Sequence, residues 1–138
     1  MNPPRPYAQL PIRVLVVDNS ADVAVTLALL VKQLGHMVQV AHSGQQALAK
    51  AAAFRPDVIF LDIGLPDISG YEVCKEIRGY DRGKNSIIVA LTGRKEPEDV
   101  IRSEKAGFDR HVGKPMFLAT LQEILGSVDP GTLRPRDV

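Results

Sequence analysis

A chain of 138 residues that is 45% hydrophobic and only 5% aromatic has the length for one domain with an aliphatic core of Val, Leu, Ile and Ala. Seventeen Lys and Arg against 16 Asp and Glu leave a net charge of +1, and their dispersal along the chain gives no basic footprint for nucleic acid. The single cysteine, Cys74, excludes an internal disulfide or a zinc site built on several thiolates, and no apolar stretch approaches the ~20 residues of a membrane span.

Residues 1–11 hold four prolines and show neither periodicity nor the apolar core of a signal peptide. They predict a flexible leader and a cytoplasmic protein. Ile12 to Val17 is the first strand, ending at Asp18-Asn19. With Ser20 or Asn19 as cap, Val23, Leu27, Leu30, Val31 and Leu34 recur at helical spacing until Gly35 and predict the inner face of helix one. A short strand at Met37–Ala41 and a helix from about Gly44 to Ala53, stopped before Pro56, come next. His36 and His42 flank that strand without Cys or His partners at ligand spacing, and are expected in solvated loops.

Asp57 to Leu61 is an apolar third strand that breaks off at Asp62 and passes into the turn Ile63-Gly64-Leu65-Pro66. Tyr71, Val73, Cys74 and Ile77 mark the buried face of helix three, with Cys74 as a structural thiol. Ser86 to Leu91 is a continuous buried strand ending at Thr92-Gly93. Pro97 to Ala106 is the most polar helix, closed by Gly107. Asp109 to Val112 leads to Gly113-Lys114-Pro115, and Phe117, Leu118, Leu121, Ile124 and Leu125 predict the inner face of the last helix. Residues 128–138, with a Pro-Gly turn signal, predict a flexible tail. The working domain is therefore expected over residues 12–127.

Five βα units with buried-type strands call for an α/β fold: a doubly wound, five-stranded parallel sheet in the order 2-1-3-4-5, covered by helices on both faces. In that order strands one, three, four and five end on a common edge, beside the switch point where ligands bind. Asp18, Asn19, Asp62, Thr92 and Lys114 follow those strands. A lone Asp62 is equally an N-cap or a turn residue. Together with a second carboxylate, a hydroxyl and an ammonium it makes a compact site for Mg²⁺ and a phosphoryl group. Asp62 supplies a carboxylate nucleophile, Lys114 neutralises phosphoryl oxygens and Thr92 donates a hydrogen bond.

Val16-Val17-Asp18, Leu61-Asp62-Ile63-Gly64-Leu65-Pro66, Ala90-Leu91-Thr92-Gly93 and Gly113-Lys114-Pro115 resemble, in order and placement, the receiver domain of two-component response regulators. The resemblance covers residues 12–127 and implies a flavodoxin-like (βα)5 three-layer sandwich. It further implies that Asp62 is the phosphoacceptor, Thr92 the switch hydroxyl and Lys114 the phosphate-binding lysine. Asp18 would belong to the metal pocket with Asp62 and the Gly64 backbone carbonyl, and a cis peptide would precede Pro115. The implied partners are a histidine kinase or histidine phosphotransfer protein as donor, and a downstream protein or a covalently linked output or kinase domain. Phosphoryl acceptance and autodephosphorylation would be its only chemistry, and a homodimer stays open.

Two positions depart from the family pattern. Asn19 stands where the family usually has a second acid. Weaker Mg²⁺ binding is expected, with the Asn19 amide oxygen still available to the metal; Asp22, one turn along, is expected on solvated helix surface. His111 stands where the family most often has Tyr or Phe, and is expected to move with Thr92 or else to be an ordinary strand residue; imidazole would add a pH dependence. Arg94 and Gly64 flank the route of water to an acyl phosphate.

Asn19 keeps a rival open: a pseudo-receiver that docks proteins without phosphorylation. An aspartate-nucleophile phosphatase is disfavoured by Gly64, where that chemistry wants a second acid, and no Gly-rich loop follows strand one to hold a nucleotide.

Overall fold

The structure, a computed structural model, describes residues 11–81, 83–93 and 97–128. The expected leader, apart from Pro11, the tail from Asp129 onward and Arg94 lie outside them. Ten elements alternate: β1 (Arg13–Val17), α1 (Ala21–Gln33), β2 (Met37–Ala41), α2 (Gly44–Phe54), β3 (Val58–Asp62), α3 (Gly70–Arg78), β4 (Ile87–Thr92), α4 (Pro97–Ala106), β5 (Arg110–Gly113) and α5 (Leu118–Gly126). All strand pairings are parallel, in the order β2-β1-β3-β4-β5. This is the doubly wound topology expected from the sequence.

Strand alternation divides the core in two. Val14, Val16, Val58, Phe60, Val89 and Leu91 pack with Ala24, Leu27 and Val31 of α1 and Leu121, Ile124 and Leu125 of α5. Leu15, Val17, Ile59, Leu61, Ile88 and Ala90 pack with residues of α2, α3 and α4. Each fully buried aliphatic side chain stabilises the fold by about 1.5–3 kcal/mol. Both faces of β3 are covered, so its sequence is an unbroken apolar run up to Asp62.

Helix ends follow their sequence signals. Ser20, Ser43 and Ser69 cap α1, α2 and α3 by accepting the N–H of Val23, Gln46 and Glu72. Gly35 takes φ +94° beyond α1, a conformation that favours glycine.

Three expectations are corrected. The buried face of α1 is Ala24, Leu27, Ala28 and Val31, and Val23 is largely exposed, because a helix this apolar presents hydrophobic residues on more than one side. Phe117 and Leu118 are 71% and 47% exposed: Phe117 sits at the N-cap position of α5, ahead of the turn that packs on the sheet. His36 is 8% exposed, and its Nδ1 accepts the Ile12 N–H at 3.2 Å, which ties the β2 entry to the start of β1. In addition Val128, assigned to the tail from sequence, is buried against the α1/α5 side of the sheet. Among the described residues no helix is long and apolar enough to cross a membrane.

Candidate functional site

Period-two alternation places Asp18, after Val14 and Val16, and Asp62, after Val58 and Phe60, on one side of the sheet at its C-terminal edge. The β1–β3 register sets them side by side, with Val17 opposite Leu61. Asp18 is 1% and Asp62 7% exposed. Burying two carboxylates needs a counter-charge, and Lys114 supplies it from the end of β5: its Nζ lies 2.9 Å from Asp18 Oδ2 and 3.2 Å from Asp62 Oδ2. Burial by itself pulls the Lys114 pKa down, but the hydrogen bonds and charges of Asp18 and Asp62 outweigh it and hold the ammonium above its usual value.

The loops fix both acids. Asp18 Oδ1 accepts the Ser20 N–H at 2.8 Å, and Asp62 Oδ1 accepts the Gly64 N–H at 3.0 Å. Gly70 opens α3 directly against the end of β3: a Cβ there would stand 2.7 Å from the Asp62 carbonyl oxygen and 2.7 Å from Ile63 Cα. Glycine at 70 is what lets α3 approach the acid so closely. Lys114 and Pro115 are joined by a cis peptide, as expected, and the Lys114 N–H donates to the Thr92 carbonyl at 2.7 Å.

Thr92 ends β4 opposite Gly113, while Ala90 faces His111. Thr92 and His111 are therefore diagonal neighbours on the α2/α3/α4 side of the sheet. Asn19 is exposed. Asp22, also exposed, lines an apolar groove of about 420 Å³ together with Val23, Leu27, Leu30, Lys114 and Met116. Among the described residues no group of three or more His, Cys, Asp or Glu comes together to hold a metal, so Asp22 does not join Asp18 and Asp62.

Sequence reasoning missed three contributors. His42, expected to be solvated, is half-buried, and its Nδ1–H donates to the Asp18 carbonyl at 3.1 Å, which steadies the loop carrying the acid. Asp67 caps α2 from the β3–α3 loop, accepting the Gly44 N–H at 2.7 Å and the Gln45 N–H at 3.0 Å; hydrogen bonds from Gln45 and then Gly44 lower its pKa. Ser103 of α4 contacts His111. An acid beside a Pro turn is a capping signal that sequence offers for Asp67. The other two contacts are tertiary and leave no local trace.

Residues 14–126 match the family model of the response regulator receiver domain. Response regulator MprA of Mycobacterium tuberculosis (strain H37Ra) is 36% identical over 110 residues, which is 80% of this chain and 47% of that protein. The transcriptional regulatory protein KdpE of M. tuberculosis (strain CDC 1551 / Oshkosh) is 35% identical over 79% of this chain and 49% of its own length. The chain thus spans about half the length of the curated relatives it matches. Among solved structures, the Vibrio cholerae chemotaxis protein CheY4 aligns with a TM-score of 0.80 and 31% identity, covering 84% of this chain and 97% of that one. The receiver domain of the sensor histidine kinase PA1611 of Pseudomonas aeruginosa, solved with magnesium coordinated in its active-site cleft, aligns with a TM-score of 0.77 and 30% identity over 84% of this chain and 95% of that one.

Proposed function

The chain belongs to the response regulator receiver domain family of two-component signalling, and from that premise we propose that Asp62 accepts a phosphoryl group from a histidine kinase or a histidine phosphotransfer protein and that the β4–α4–β5 surface changes in response. The observation that carries this reading is the convergence of two buried carboxylates on one ammonium at the C-terminal edge of the sheet.

An Asp62 carboxylate oxygen attacks phosphorus in line with the bond to the donor imidazole. The P–O bond forms as the P–N bond breaks, and the imidazole leaves with the electron pair. Lys114, already within ion-pair distance of Asp62, meets the charge spread over the phosphoryl oxygens without reorganising. The Gly64 N–H holds Asp62 Oδ1 and fixes the orientation of the carboxylate. Thr92, at the adjoining strand end, then donates its hydroxyl to the phosphoryl group, and His111, its diagonal neighbour, moves with it.

The donor set fits Mg²⁺, which takes hard oxygen ligands and one or two carboxylates: the oxygens of Asp18 and Asp62 already converge on a cation, the Lys114 ammonium. Asp18, Asp62, the Gly64 carbonyl and the Asn19 amide oxygen would hold it, more weakly than where an acid stands at position 19. Bound there, Mg²⁺ supplies positive charge against the phosphoryl oxygens.

The test is incubation with acetyl phosphate and Mg²⁺, followed by peptide mass spectrometry. One phosphoryl group is expected on the peptide carrying Asp62 and none in Asp62→Asn. No mass gain, together with no saturable response to beryllofluoride at high Mg²⁺, would replace this reading with a phosphorylation-independent docking module.

A further inference from the structure

Ser103 lies in α4 with 1% of its surface exposed. Its hydroxyl donates to the Asp99 carbonyl one turn earlier at 2.8 Å, and the same oxygen stands 3.2 Å from His111 Nδ1. A serine hydroxyl has one hydrogen. With that hydrogen committed to Asp99, Ser103 Oγ accepts and His111 Nδ1–H donates. A neutral ring is then the Nδ1–H tautomer, in which Nε2 carries a lone pair. Nε2 is buried and has no hydrogen-bond partner among the described residues. His111 is therefore held to α4 through one nitrogen while the other is left with an unmet acceptor, which penalises this pose.

We propose that Ser103 is the latch of the α4–β5 surface: its oxygen holds His111 in the resting pose, and phosphorylation of Asp62 moves the ring only by breaking that bond. This rests on the phosphoacceptor reading above. The unmet Nε2 keeps the latch shallow, because the ring gains by any motion that brings a donor to it. A ligand favouring the moved state must supply the free energy of the latch, so a protein without the latch has more of the competent state and a lower apparent Kd. A net hydrogen bond corresponds to a factor of about two to ten.

Two measurements test it on the full chain. Nitrogen NMR of the His111 ring should report the Nδ1–H tautomer at rest, with an Nδ1–H resonance that shifts in Ser103→Ala. Beryllofluoride titration in Mg²⁺ should give an apparent Kd about twofold to tenfold lower in Ser103→Ala and in His111→Phe, which keeps a ring and removes the N–H; the double variant should go no lower than either single one. If Ser103→Ala does not fold, His111→Phe carries the affinity test. An Nε2–H tautomer at rest, unchanged affinities or additive effects would overturn the latch while a wild-type response leaves the phosphoacceptor reading standing. No response in any of these proteins, with the resting tautomer as stated, overturns the phosphoacceptor reading and the latch with it.

Discussion

Lys114 Nζ lies 3.2 Å from Asp62 Oδ2, so the ammonium already stands at the proposed phosphoacceptor in the unmodified chain. It also neutralises Asp18 from 2.9 Å and competes with any added cation for the same two oxygens. Lys114→Met leaves two carboxylates facing each other and should lower stability by about 1–3 kcal/mol in urea unfolding, the lower end reflecting partial solvent screening of Lys114. The same variant should bind Mg²⁺ more tightly than wild type, by calorimetric titration, yet lose its response to beryllofluoride. Because the Lys114 pKa is raised in the folded chain, its stabilisation is complete below the unfolded value near 10.5 and is lost as pH rises through the folded one. The wild-type stability curve should therefore fall in strong alkali more steeply than that of Lys114→Met.

On the proposed reading, Asn19 is the position that should set how tightly Mg²⁺ is held. Two unit charges 4 Å apart attract by about 4 kcal/mol at an effective dielectric near 20, and desolvation and ion competition cancel much of it. Since position 19 is exposed, the desolvation cost is modest. Asn19→Asp should tighten Mg²⁺ by about tenfold in the same titration, and an unchanged affinity would mean that position 19 does not reach the metal.

The central strands and the polar residues at their ends were legible because a strand buried on both faces must be continuously apolar, and the polar residue that ends it stands out. Asp18, Asp62 and Thr92 are such residues, whereas Lys114 follows the half-buried edge strand β5 and stood out only by its Gly-Lys-Pro setting. Helix faces were less legible. In α1, Val23, Val25 and Leu29 are exposed alongside buried Leu27 and Val31, so spacing alone did not pick the packed side. Least legible were His36 and His42, whose ring nitrogens meet backbone groups 24 residues earlier in the chain. Such contacts exist only once the sheet has assembled, and no local pattern announces them.

Arg78, at the end of α3, staples the opposite end of the sheet. Its guanidinium donates to the carbonyls of Gly83, Ser86 and Gly107 and to Asp109 Oδ2, at 2.6–2.9 Å, while Asp109 Oδ2 also accepts the Ile88 N–H at 2.8 Å. A lysine ammonium cannot span this fork. Arg78→Lys should cost about 2–4 kcal/mol as several partly buried carbonyls lose their donors, seen as a lower urea midpoint with an unchanged slope.

Cys74 is fully buried between α3 and the sheet, and burial pushes its thiol pKa up to about 11. The thiolate is the reactive form. The folded protein should therefore resist a disulfide reagent at pH 8, and labelling should accelerate only as urea unfolds the chain. Prompt labelling in buffer would show that α3 opens locally.

His36 gives the fold a dependence on mild acid. Its Nδ1 accepts the Ile12 N–H and must be unprotonated to do so, and burial lowers its pKa below the usual 6.5. For a base depressed in the folded state the sign is fixed. Above the unfolded value both states are neutral and the stabilisation is complete. As pH falls below about 6.5 the unfolded chain takes up a proton that the folded chain resists, and stability declines until the folded pKa is passed. Asn can offer a side-chain oxygen near the position of Nδ1 and does not titrate, so His36→Asn should keep the bond to Ile12 and flatten the dependence. Urea midpoints measured from pH 7.5 down to 5.5 should fall more steeply for wild type than for His36→Asn, and parallel curves would show that His36 carries a proton in the folded chain as readily as in the unfolded one.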